Sequence, residues 1–130
     1  MDKKTISTAA ILGMIAIILG AFGAHALKKV LNIEQLATFE TGVRYQMYHA
    51  LFLLFIGLVP NLTVKAKNTI YNLVLSGVIL FSGSIYLLAT NGLTSIDFKF
   101  IGPVTPIGGL LLISAWTVLL FQALRKSGTK

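Results

Sequence analysis

The sequence predicts an all-α membrane protein: an antiparallel bundle of four transmembrane helices with both termini on the cytoplasmic side. Three observations carry that prediction. Residues 5–27, 45–64, 68–96 and 100–124 form four stretches without a single Asp, Glu, Lys or Arg. At a rise of 1.5 Å per residue, about 20 helical residues match a hydrocarbon core roughly 30 Å thick. Charged residues make up 12% of the 130-residue chain and hydrophobic ones 55%, too little polarity to clothe a soluble domain of this size. The third observation is where the charges fall. Four crossings put Lys3, Lys4, Lys65, Lys67, Arg125, Lys126 and Lys130 on one side, and Lys28, Lys29, Arg44 and Lys99 on the other. Asp2 joins the first set, and Glu34, Glu40 and Asp97 join the second. Lys and Arg collect on the cytoplasmic side, so the first set and both ends are expected there.

Helices are required because lipid offers no hydrogen bonds to the backbone, which leaves helices or closed barrels. A barrel would alternate apolar and polar residues in segments of about ten. Runs such as IAIIL (15–19), ALFLLFIGLV (50–59) and LLLISAWTVLLF (110–121) do not alternate. The whole chain, 1–130, reads as one four-span domain with spans at about 6–26, 44–59, 69–90 and 106–124.

In the first span Ala16, Gly20 and Ala24 recur every four residues, a ridge that lets another helix approach closely. The two lysines, the apolar stretch and Ala24-His25-Ala26 imitate a signal peptide and its cleavage site. The uncharged stretch has full spanning length, which favours a retained helix. Asn32 followed by Gln35 reads as a helix N-cap with its capping-box partner. A helical pattern then runs to Pro60, longer than a bilayer needs. Its first part, 33–43, is amphipathic and is expected along the outer interface, Phe39 included, with Gly42 as a bend. Glu40 and Arg44 are spaced to pair.

Residues 61–68 form a short cytoplasmic turn. The third span stops at Asn91-Gly92, a common helix C-terminal signal. Residues 93–104 make a long outer connection closed by Gly102-Pro103. Thr105-Pro106 reads as N-cap and first-turn proline of the last span.

The polar residues collect at the outer ends of these spans. GAFGAHAL (20–27), TGVRYQMYHAL (41–51), FSGSIYLLATNG (81–92) and GPVTPIGG (102–109) hold both histidines and most of the glycines. Polar groups at membrane depth are costly and usually face the bundle interior or a wet cavity. Tyr45 and His49 share a helix face, as do Arg44 and Tyr48, and Ser82, Tyr86 and Thr90 form a stripe on the third span. His25 ends the first span, where the helix dipole favours a positive charge. An outer pocket of His25, Arg44, Tyr45, Gln46, His49, Ser82, Tyr86 and Thr105 is therefore the candidate ligand-binding site.

Each of these residues also has a structural reading. The tyrosines suit an interfacial belt, Arg44 can reach the headgroups, and the histidines and serines can bond neighbouring helices or their own. Their gathering in one layer is what makes them a candidate.

Several chemistries are excluded. With no cysteine there is no disulfide or thiolate site. No P-loop, zinc-binding HExxH or GxSxG elbow is present, and no cofactor is implied. The two histidines and Glu40 lack the spacing of a compact metal motif, so no metal is expected. The net charge of +7 comes from lysines flanking spans and not from a basic face, so nucleic acid is not the partner. No carboxylate lies within a span core, unlike the small multidrug resistance transporters, which rely on a buried glutamate.

The four motifs, in this order, resemble the small membrane-protein family built on domain of unknown function 423, whose vertebrate relative is transmembrane protein 256. GAFGAHAL, TGVRYQMYHAL, FSGSIYLLA and TPIGG carry the resemblance, which extends from Thr5 to about Leu124. It implies a multi-pass protein of bacterial cell membranes and brings no activity with it.

Three functional classes follow from the residues. The first is a protein that binds or passes a small solute, ion or lipid headgroup through the outer polar layer. The second is an accessory or scaffold subunit of a larger membrane complex. The third is a membrane enzyme with His49 as base and Ser82 or Ser84 as nucleophile. The expected partners are the lipid bilayer and either further copies of this chain or a larger complex, since one bundle is narrow for an aqueous path.

Overall fold

A computed structural model describes residues 2–125 as four long helices and three short 3-10 turns, with no strand among the described residues. The helices are α1 (Lys3–His25), α2 (Ile33–Leu58), α3 (Val64–Ala89) and α4 (Val104–Leu124). Lys126 and Lys130, counted above with the cytoplasmic set, lie outside the described residues.

The helix starts are set by side chains that satisfy free backbone N–H groups. The Asp2 carboxylate accepts from the Thr5 N–H at 3.2 Å and from the Thr5 hydroxyl at 2.7 Å. Asn32 and Gln35 form the full reciprocal capping box, at 2.7 and 3.0 Å. Thr63 accepts from the Ala66 N–H at 3.1 Å. The fourth start differs from the expectation at Thr105. Gly102 and Pro103 are already helical, so α4 begins at Val104 as a continuation of the 3-10 turn Phe98–Ile101. No extended residue is left to act as a cap, and the Thr105 hydroxyl instead meets Ser84 of α3.

Three segments are long and apolar enough to cross a membrane: Lys3–Lys29, Val64–Ala89 and Phe98–Leu124. α2 is not among them, because Arg44, Gln46 and His49 interrupt its middle with polar groups. Its residues 33–43 are not a separate element but the opening turns of one helix of 26 residues. Phe39, expected at the outer surface, is buried between Gly23 of α1 and Tyr86 of α3.

Each helix packs chiefly on its chain neighbours. Gly57 of α2 meets Ile6 of α1, Gly13 meets Ala50, Gly20 meets Val43 and Gly23 meets Phe39. The Asp2 N–H also donates to the Gly57 carbonyl at 3.0 Å. The small-residue ridge of α1 is thus used within the chain, with Ala16 buried. On the other side of the molecule, Gly108 of α4 lies directly against the backbone of Phe81, and Leu112 fills the space left by Gly77.

The core has two apolar zones. The larger joins Leu12, Leu53, Ile56, Ile70, Val74 and Ala115, all buried. The smaller joins Leu27, Leu31, Phe39 and Ala89. Between them along α2 and α3 runs a layer of buried polar side chains: Gln46, His49, Ser82 and Ser84. Outward-facing surfaces of α1 and α4 are aliphatic and aromatic, as contact with hydrocarbon demands.

Candidate functional site

The polar layer grows from the backbone outward. Gln46 is only 4% exposed, and its carboxamide bridges three helices. Its Nε2 donates to the Leu12 carbonyl of α1 at 2.8 Å, while its Oε1 accepts from the Tyr86 hydroxyl of α3 at 2.6 Å. A backbone carbonyl can only accept, which fixes which end of the amide faces α1. One turn earlier, the fully buried Ser82 hydroxyl donates to the Gly42 carbonyl at 2.8 Å. Gly42 is needed there: a Cβ would come within 2.7 Å of the Tyr86 ring.

His49 is 5% exposed, and both ring nitrogens are engaged. The Trp116 indole N–H of α4 lies 3.1 Å from Nε2, and the Tyr45 carbonyl lies 2.7 Å from Nδ1. An indole N–H only donates, so Nε2 must accept, and the imidazole proton sits on Nδ1 and is donated to Tyr45. His49 is therefore a neutral imidazole of one defined tautomer. The Trp116 ring is held for this contact by stacking on Phe52, with centroids 4.0 Å apart.

α3 and α4 are joined by the Ser84 and Thr105 hydroxyls, and Ser84 also donates to the Phe81 carbonyl at 3.0 Å. Near the opposite end, Thr8 of α1 and Tyr71 of α3 share a hydrogen bond of 2.8 Å.

The eight residues singled out from the sequence thus separate into four groups. Gln46, Ser82, Tyr86 and Thr105 join helices to one another. Tyr45 and His49 line a cleft of about 300 Å³ between α2, α3 and α4, with Phe81, Gly109, Leu112, Ile113 and Trp116. Arg44 lines a different cleft, of about 310 Å³ between α1 and α2, with Gly20, Ala24, Phe39, Glu40 and Val43. The Arg44 Nη2 donates to Thr41 Oγ1 at 3.1 Å, and no Glu40–Arg44 ion pair forms among the described residues. His25 ends α1 with an exposed side chain and takes part in none of these bonds.

Neither Ser82 nor Ser84 is hydrogen-bonded to His49, whose nitrogens are occupied by Tyr45 and Trp116. Among the described residues no three His, Asp or Glu side chains gather at one point.

Trp116 is the residue of this site that sequence reasoning passed over. A signal existed. Tryptophan favours the membrane interface, so one placed well inside a span needs an acceptor for its N–H, and His49 is the acceptor nearest in depth. The carbonyls of Leu12, Gly42 and Tyr45 carry no such signal, because every residue has one.

Residues 19–109 match the family model described as a protein of unknown function, DUF423. A UPF0382 membrane protein of Staphylococcus saprophyticus is 43% identical over 90% of this chain and 93% of its own length. The UPF0382 membrane protein YwdK of Bacillus subtilis is 34% identical over 95% of this chain and 98% of its own. The UPF0382 inner membrane protein YgdD of Escherichia coli is 36% identical over 90% of this chain and 86% of its own. No solved structure matches.

Proposed function

The chain belongs to the DUF423 family of membrane proteins, and on that premise we propose that it serves as an accessory or scaffold subunit of a larger membrane complex. It does so as an antiparallel four-span bundle in the bacterial cytoplasmic membrane, with both termini cytoplasmic. The arrangement is supported by paired contacts that ascend one helix as they descend the next: Ile6 with Gly57 and Gly23 with Phe39, then Gly77 with Leu112 and Ser84 with Thr105. The orientation is supported by the excess of Lys and Arg at the ends and in the turn at 61–68.

One observation carries the functional reading: the buried polar side chains of α2 bond to α1, α3 and α4. A polar layer whose bonds are made internally is a rigid partition between two apolar zones. Passing a solute through it would break the Gln46 and Ser82 bonds, and the Arg44 and His49 side chains line separate clefts. What remains for the environment is an extensive apolar surface on α1 and α4.

The test is native mass spectrometry of the tagged chain extracted from its own membrane in lipid nanodiscs. A foreign subunit in fixed stoichiometry is expected. The chain alone, or a homo-oligomer with no foreign subunit, would overturn the assignment. Topology is tested separately in this cysteine-free chain. Single cysteines at Ile33 and Ser95 are expected to react with an impermeant maleimide in intact cells, and one at Lys65 only after permeabilisation.

A further inference from the structure

We propose that the cleft between α2, α3 and α4 is a binding site for a flat, ring-bearing, bilayer-soluble molecule of the quinone class, entered sideways from the hydrocarbon. Its volume of about 300 Å³ suits a single substituted ring. Three of its lining residues, Tyr45, Ile113 and Trp116, are exposed, so the mouth opens toward lipid and not toward water.

The walls choose a ring over an acyl chain. Tyr45 and Phe81, with centroids 5.2 Å apart, line it together with Trp116, which is stacked on Phe52. A planar guest gains aromatic contacts here beyond its buried area, which a saturated chain does not. The polar groups point the same way. The Tyr45 hydroxyl has no hydrogen-bond partner among the described residues, although Tyr45 lines the cleft. A ring carbonyl can accept from it, or from the Trp116 N–H. A ring hydroxyl can donate to His49 Nε2 in place of Trp116. Carbonyl and hydroxyl forms of one ring are both accommodated, and an acyl chain satisfies neither group.

Gly109 keeps the cleft open. A Cβ there would meet the Phe81 ring at 3.6 Å, an ordinary contact, so a longer side chain fills the cavity without moving the backbone. This inference concerns a lateral cleft and stands whether or not the protein has a partner subunit.

Trp116 is the only tryptophan in the chain, so emission excited at wavelengths that the four tyrosines do not absorb comes from this residue. The protein in phosphatidylcholine nanodiscs is titrated with a short-tailed benzoquinone. Saturable quenching by the quinone is expected. Gly109→Leu is expected to abolish the saturable component. Tyr45→Phe, which preserves the ring, is expected to raise the midpoint about threefold to tenfold, the loss of one hydrogen bond. Linear quenching identical in wild type and both variants overturns the proposal, as simple partitioning into lipid. Saturable quenching that survives Gly109→Leu unchanged also overturns it, since the quinone would then sit elsewhere against Trp116.

Discussion

Gly108 of α4 runs directly against the backbone of Phe81 in α3, so close that a Cβ on Gly108 would fall inside the van der Waals envelope of the Phe81 nitrogen. The helix crossing exists only because that position has no side chain. Close approach of this kind replaces the hydrophobic effect as the source of helix association in lipid.

Gly108→Ala is therefore expected to destabilise the fold by about 1–3 kcal/mol through overpacking. Gly83 supplies the control, since nothing lies within 4 Å of its would-be Cβ. Gly83→Ala is expected to be neutral or to stabilise by up to about 1 kcal/mol, the helix-propensity difference. Thermal unfolding of the two variants in the same detergent checks both. Equal midpoints would show that the α3–α4 crossing tolerates a side chain.

The Gln46–Tyr86 bond lends itself to a double-mutant cycle. Gln46→Leu and Tyr86→Phe each remove one partner and leave the other unsatisfied in a buried layer. The double variant leaves neither group stranded there, so its loss should be smaller than the sum of the single losses. A coupling of about 0.5–1.5 kcal/mol is expected. Strict additivity would mean that the two side chains do not meet in the membrane.

Trp116→Phe keeps an aromatic ring against Phe52 but removes the donor to His49. In the wild type, nitrogen NMR of His49 is expected to report a neutral ring protonated on Nδ1 alone. In the variant, Nε2 loses its protein donor and the tautomer becomes mixed. A protonated or mixed ring in the wild type would contradict the assigned bond.

The connection between α3 and α4 should respond to acid. Asp97 accepts from the Lys99 N–H at 3.0 Å and from the Asn91 side chain at 3.2 Å, and these bonds hold its carboxyl below the ordinary value. A carboxylate whose folded pKa is depressed contributes order that is fully present above its unfolded pKa. That order is lost as pH falls through the folded value. Protection of the Phe98 and Lys99 amides, taken relative to their intrinsic exchange rates, is expected to hold until the pH drops below about 4, the usual carboxylate value, and then to fall. In Asp97→Asn this acid-dependent step should vanish.

Much of the fold was legible because lipid imposes simple demands on a sequence. Charge-free windows gave four helices. Asn32 and Gln35 announced a capping box whose two bonds both form. Thr105 misled because a Thr-Pro pair looks like a cap wherever the preceding turn is unseen, and here that turn was already helical. The depth of the polar layer was readable from where Gln46, His49 and Ser82 fall in their windows. Its wiring was not, since most acceptors are backbone carbonyls and direction around a helix decides which one is reached. Arg44 and His49 show this directly: five residues apart on one helix, they line different clefts.

The polarity of α2 bears on how the protein is made. A translocon sorts each helix by its apolarity as it emerges, and α2 falls short of the level reached by the other three. The helix synthesised just before it is α1, which offers the Leu12 carbonyl to Gln46 and the Gly57–Ile6 seam to the far end. Membrane entry of α2 is thus expected to be coupled to its predecessor, the two inserting as a hairpin. If α1 inserted and α2 did not follow it, the turn at 61–68 would stay on the outer side, a failure of biogenesis that an engineered glycosylation site in that turn would record.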